Sequence, residues 1–206
     1  MEAGAIIKLE TLRSRLIAAE PPLPLLPARS DFDLNPAPGR KRADILVPAA
    51  VLIPVVAHAE PSVLFTERSA DLKRHAGQVS FPGGAADATD ASLVATALRE
   101  LQEEVGIAPG FVTVAGFLEP YETVTGFAVL PVVGLVREGF TLAPDAREVE
   151  AVFEVPLTFL LDPANCTEEA LDWNGVKRRF YAFRYEGHTI WGATAAILKA
   201  LSERLR

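Results

Sequence analysis

Apolar and polar positions along this chain follow two periods, and each switch between them marks an element. Residues 5–19 place Ile6, Ile7, Leu12 and Leu16 at helical spacing with Arg13 and Arg15 between them, which predicts an amphipathic helix. Pro21, Pro22 and Pro24 stop it, because proline cannot continue a helix. Residues 21–43, rich in Pro, Asp and Arg, are expected to run extended over the surface. Val47–His58 is apolar and β-branched and reads as a buried strand. Glu60-Pro61-Ser62 turns the chain, and Val63–Thr66 returns as a second strand that delivers Arg68 to a loop. Val112–Pro120 and Phe127–Val136 read as paired strands about the polar turn Tyr121–Gly126. Leu157–Leu161, after Pro156, suits a short helix. Phe180–Tyr185 alternates as a strand does, behind Lys177-Arg178-Arg179, a basic triplet that reads as a solvated turn, with a phosphate contact as the alternative. Ala193–Leu205 is an Ala- and Leu-rich helix. Trp191, just before it, reads as a packing anchor, with a base-stacking role as the alternative. This mixture of strands, hairpins and helices predicts an α/β chain.

The richest stretch is Gly77–Ile107, where Pro82-Gly83-Gly84 runs into a helix ending Arg99-Glu100-Leu101-Gln102-Glu103-Glu104-Val105-Gly106. At 3.6 residues per turn, Glu100, Glu103 and Glu104 share one face. Arg99 borders that face, and Val94, Leu98, Leu101 and Val105 form the opposite, core-facing stripe. Three crowded carboxylates repel one another. A hard divalent cation would remove the repulsion, and Mg²⁺ commonly sits on a few carboxylates plus substrate phosphates. A solvated acidic face is the simpler fate of a charge run. Asp90 is expected to cap the helix, and Gly106 to end it in the left-handed conformation.

The spacing decides between these readings. G-G-x(5)-D-x(8)-R-E-L-x-E-E-V-G-I resembles the Nudix box, G-x5-E-x7-R-E-U-x-E-E-x-G-U with U apolar. Arg99, Glu100, Leu101, Glu103, Glu104, Gly106 and Ile107 match its second half. In the first half Asp90 stands in place of Glu, with one extra residue before Arg99, and Asp90 is given no metal role. Upstream, Leu64-Phe65-Thr66-Glu67-Arg68-Ser69, then Leu72, His75 and Gly77–Gly84, resembles the additional motif of the coenzyme A pyrophosphatase branch. The resemblance implies the Nudix fold, an α/β/α sandwich with a mixed β-sheet. It implies a metal-binding hydrolase, dependent on Mg²⁺ or Mn²⁺, that cleaves the diphosphate of coenzyme A or its acyl or oxidised derivatives. The products would be a 4′-phosphopantetheine and adenosine 3′,5′-bisphosphate. On this reading Glu100 and Glu104 hold the metal, and Glu103 is a third ligand or the base. Arg99 pins a glutamate by a bidentate contact. Glu148, in the segment before Val152-Phe153-Glu154-Val155-Pro156-Leu157, is a further carboxylate for the metal or the water. Arg68 and His75 meet the substrate's phosphates, and Gly83 and Gly84 let the backbone approach it. Two other readings stand beside it: a Nudix pyrophosphatase for ADP-ribose or NADH, and a non-catalytic nucleotide sensor.

Composition narrows the setting. At 206 residues, half of them apolar, the chain suits one core: residues 1–43 as a lead-in belonging to the same unit, and 44–206 as the Nudix hydrolase domain. The net charge of −7 argues against a nucleic-acid partner and means that a polyanionic small-molecule substrate needs a local cationic patch. A single cysteine, Cys166, fits a reducing compartment, and no apolar run has transmembrane length or the flanks of a signal peptide. The expectation is a cytoplasmic protein without a membrane partner, whose residues 21–43 could reach a second subunit in a homodimer. Glu119, Glu122, Glu150 and Glu154 are expected to face water.

Overall fold

The computed structural model describes residues 9–36, 46–70, 76–173 and 175–206. The elements run α1 (Leu9–Arg15), β1 (Arg29–Ser30), β2 (Val47–Val56), β3 (Ser62–Arg68), β4 (Val79–Ser80), β5 (Gly83–Ala85) and α2 (Leu93–Val105). They continue with β6 (Val112–Phe117), β7 (Tyr121–Glu122), β8 (Phe127–Val136), β9 (Val149–Pro156) and α3 (Leu157–Leu161). The chain ends in β10 (Thr167–Trp173), β11 (Val176–Tyr185), β12 (His188–Trp191) and α4 (Gly192–Leu205).

Nine of these strands make one mixed sheet, with β2 and β8 paired in parallel at its centre over ten register positions from Val47↔Phe127 to Val56↔Val136. β10, β11 and β12 form a second, antiparallel sheet. Parallel strands at the centre of a sheet must be covered on both faces, and the side chains divide accordingly with period two. Leu52 and Val56 of β2, Leu64 of β3, and Leu130, Val132 and Val136 of β8 pack with Ala97, Leu101 and Val105 of α2. Ile53, Val55, Val63, Phe65 and Val133 point the other way, against Leu160 and Leu161 of α3 and Ile197, Leu198 and Leu201 of α4. Each fully buried Leu, Ile or Phe contributes roughly 1.5–3 kcal/mol of transfer free energy. The result is a mixed sheet between helical layers, the architecture that the resemblance implies.

Several sequence expectations change here. The N-terminal helix ends at Arg15, well short of the prolines, because Ile17 leaves it to exchange backbone hydrogen bonds with Phe117 (3.0 and 2.9 Å). Ile6 and Ile7 lie outside the described residues, as does the boundary expected between 43 and 44. Residues 29–30 do not merely cross the surface; they pair in parallel with Tyr121–Glu122, within the expected turn. Arg68 ends a strand rather than entering a loop. The basic triplet lies inside β11, because β10, which has no apolar alternation of its own to announce it, pairs with β11 along its length. Glu122 is buried, Glu119 pairs with Arg204, and Glu154 bonds Ser62 and His58 instead of facing water.

Candidate active site

The site begins at the α2 N-terminus. Ser92 is the N-cap, its hydroxyl accepting from the Ala95 N–H at 3.2 Å. Asp90, expected in that role, does something else. Its two oxygens accept from Nε and Nη2 of Arg99, both at 3.0 Å, and one also accepts from the Thr96 hydroxyl at 2.8 Å. These bonds, Arg99 foremost, hold its carboxyl well below the usual carboxylate range. The bidentate partner of Arg99 is therefore Asp90, not a glutamate of the box. The remaining nitrogen, Nη1, donates to Glu100 Oε1 and Glu103 Oε2, each at 2.8 Å. One guanidinium thus ties three carboxylates into a fixed array.

Gly83 and Gly84 lie in β5 rather than in a turn, opposite Val51 and Ala50 of β2. A Cβ on Gly84 would stand 2.5 Å from Glu100 Oε1, and one on Gly83 would stand 2.5 Å from the Ala50 carbonyl oxygen. The missing side chains make room for a neighbouring strand and a carboxylate. The Gly83 backbone lies near enough to Glu104 to favour its charged form.

Glu104 is only 4 % exposed, and its Oε2 is buried without a hydrogen-bond partner. Burial pushes its carboxyl up to about 8; the nearby Glu100 adds to the rise, while Arg68 and the Gly83 N–H oppose it. Glu100 is raised too, chiefly by burial, with Arg99 opposing. The side chain of Glu103 is 60 % exposed and turned to Arg99. Glu148 is exposed, near enough for its charge to raise both Glu100 and Glu104, and its backbone carbonyl accepts from the Ser69 N–H at 2.9 Å. Among the described residues no three acidic, His or Cys side chains stand together as a finished cage for an ion. Glu104 is buried, Glu100 is half-buried, and the charge of Glu100 raises Glu104. Such a carboxylate, with one oxygen unsatisfied, fits a cation: an orphaned buried carboxylate oxygen costs free energy until it gains a partner. Arg68 has the complementary defect, a buried Nε without an acceptor.

Arg68 and Gly83 also line a cavity of about 770 Å³ that extends away from α2. Its far wall carries Arg178, Phe180 and Trp191 of the second sheet, and its rim is the segment 29–35. Two side chains strap that segment down. Asp31 accepts from the Tyr121 hydroxyl at 2.8 Å and the Val124 N–H at 2.7 Å, and Asn35 exchanges two 2.8 Å bonds with the backbone of Arg179. Sequence reasoning missed this strap, since its partners lie 90 to 144 residues away. Trp191, expected as a packing anchor, is 36 % exposed and meets Phe180 edge-on. His75 falls outside the described residues.

Comparison with known proteins agrees with the box. The NUDIX domain family matches residues 46–180. The chain is 46% identical over 154 residues to a Pectobacterium atrosepticum protein, covering 75% of this chain and 80% of that one, and 48% identical over the same length to one from Citrobacter koseri. Both carry the name Uncharacterized Nudix hydrolase NudL. A NUDIX hydrolase structure from Alicyclobacillus acidocaldarius is 19% identical, with a TM-score of 0.49 over 77% of this chain and 92% of that one. With the matched region spanning β2 to β10, the glutamate helix and the first half of β11, the chain belongs to the NUDIX domain family and is a Nudix hydrolase, an enzyme that cleaves diphosphates.

Proposed function

We propose that this enzyme hydrolyses the diphosphate of coenzyme A or an acyl or oxidised derivative, releasing a 4′-phosphopantetheine and adenosine 3′,5′-bisphosphate. The observation that carries the chemistry is Glu104: a buried carboxylate with an unsatisfied oxygen, close enough to feel the charges of Glu100 and of Arg68, which lines the cavity. The substrate class rests on the upstream motif, of which Arg68 ends a strand and Ser69 bonds Glu148.

Hydrolysis adds water oxygen to one phosphorus, breaks the P–O–P bond and leaves the bridging oxygen on the other phosphate. Glu100 and Glu104 would hold Mg²⁺ or Mn²⁺, with exposed Glu103 or Glu148 as a third carboxylate. When bound, that ion neutralises diphosphate charge and acidifies the attacking water. The chain's own contributions are positional. Arg99, locked by Asp90, fixes the rotamers of Glu100 and Glu103. Whichever of Glu103 and Glu148 is left unligated accepts the water's proton. Arg68 turns a guanidinium toward the diphosphate, as its place on the cavity wall beside Glu104 allows. Gly84 leaves the space that the Glu100 carboxylate occupies.

The test is mass spectrometry of products formed in ¹⁸O-water with Mg²⁺ from coenzyme A, dephospho-coenzyme A and ADP-ribose. Adenosine 3′,5′-bisphosphate and phosphopantetheine, formed from coenzyme A at the highest kcat/KM of the three, are expected. Preference for ADP-ribose would overturn the substrate assignment, and absence of turnover with all three would overturn both.

A further inference from the structure

The chain carries a net charge of −7, yet the cavity wall is cationic: Arg29, Arg68, Arg178, Arg179 and Lys199 line it, against Asp31 and Asp33. Three of these five cations already have carboxylate partners. Arg29 and Lys199 both pair with Glu203, and Arg179 pairs with Glu168. Asp31 is taken up by Tyr121 and Val124, and Asp33 accepts from the Ser30 N–H. Among the described residues two guanidinium groups of this wall have no carboxylate at ion-pair distance. One is Arg68, whose charge reaches Glu104. The other is Arg178, on a different sheet, which has no acidic partner among the described residues.

Arg178 shares a strand face with Phe180, two residues on, and Trp191 joins that face through its register with Ala182. The rings of Phe180 and Trp191 meet edge-on at 5.6 Å, and Trp191 keeps part of its surface open to the cavity. A cation beside exposed aromatic surface suits a flat heterocycle bearing an anion. We infer that Arg178 is a specificity-determining residue that binds a phosphomonoester on the nucleoside half of the substrate, separate from the diphosphate, with Trp191 and Phe180 beside the base. This rests on the diphosphate being held at the Arg68 end. It assigns the additional phosphate to the second sheet, not to the basic residues of the upstream motif.

Equilibrium binding separates this subsite from the chemistry. Calorimetry with adenosine 3′,5′-bisphosphate and with AMP would compare the full-length wild type, Arg178→Ala, Arg178→Lys and Lys177→Ala, the last an exposed neighbour that does not line the cavity. Wild type is expected to prefer the bisphosphate by at least about 10-fold, the size of one charge-assisted contact. Arg178→Ala should bring that ratio to within about 2-fold by weakening the bisphosphate alone, whereas Arg178→Lys keeps part of it and Lys177→Ala all of it. An unchanged ratio in Arg178→Ala, equal loss for both ligands, or no preference in wild type would each overturn the subsite. Failure to turn over coenzyme A, with the binding ratio intact, would instead remove the substrate assignment and leave the subsite standing.

Discussion

Glu104 bears the largest electrostatic cost in the candidate site, and that cost is measurable. Its folded pKa of about 8 lies above the ordinary 4.5, so the folded state binds its proton more tightly than the unfolded state does. Its contribution is fully present below about pH 4.5 and is lost as pH rises through 8. In EDTA, wild-type Tm should therefore fall between pH 5 and pH 8 more steeply than that of Glu104→Gln. The variant should be the more stable protein at pH 8 while kcat drops by at least 10-fold, a barrier change of about 1.4 kcal/mol or more. Thermal scans across pH with parallel turnover assays decide it, and a variant that keeps wild-type kcat removes Glu104 from the chemistry. Gly84→Ala tests the same pair sterically: its Cβ would meet the Glu100 carboxylate at 2.5 Å, so activity should fall about 10-fold or more with the fold retained by circular dichroism. The box named Glu100 and Glu104 from spacing alone, because helical neighbours are set by the residue count. It did not reveal that Arg99 grips Asp90. That contact joins residues nine apart, from the segment before α2 to its middle, which helical spacing does not encode.

At the scale of the element, α2 was the most legible part of the chain. Its apolar stripe, its arginine–glutamate face and its closing Gly106 at φ 79° all follow from local geometry. Only its start was misread: Ser92 caps it, and Ser92→Ala should cost about 1 kcal/mol in urea unfolding. Gly106→Ala combines positive φ with a Cβ 2.7 Å from Ala143 and should cost more than the cap. Equal losses in the two variants would contradict that ranking. The strand β10 went unread because its charged residues carry no periodic apolar signal, and it is held by a partner strand instead.

Across the whole molecule, residues 29–35 and the second sheet meet over the cavity. Asn35→Ala removes both bonds that tie the strap to Arg179. We expect KM to rise about 3–10-fold with kcat nearly unchanged, and protease cleavage within 29–36 to quicken. A kcat loss with constant KM would show that the strap acts on chemistry rather than on binding. Asp31 adds a pH signature. Burial raises its carboxyl despite the Tyr121 and Val124 bonds, so stability should decline as pH rises from its ordinary 3.8 towards the folded value. Asp31→Asn should flatten that segment of the stability profile.

The sequence by itself determined the glutamate helix, the central strands and the family, because each rests on short periods and fixed counts of residues. Tertiary structure alone decided which guanidinium groups stay unpaired, which carboxylate is buried, and that residues 29–35 and β11 enclose one cavity. Those outcomes depend on pairings between distant segments, such as Asn35 with Arg179. No local pattern specifies them; they arise when two sheets and their helices close around a common core.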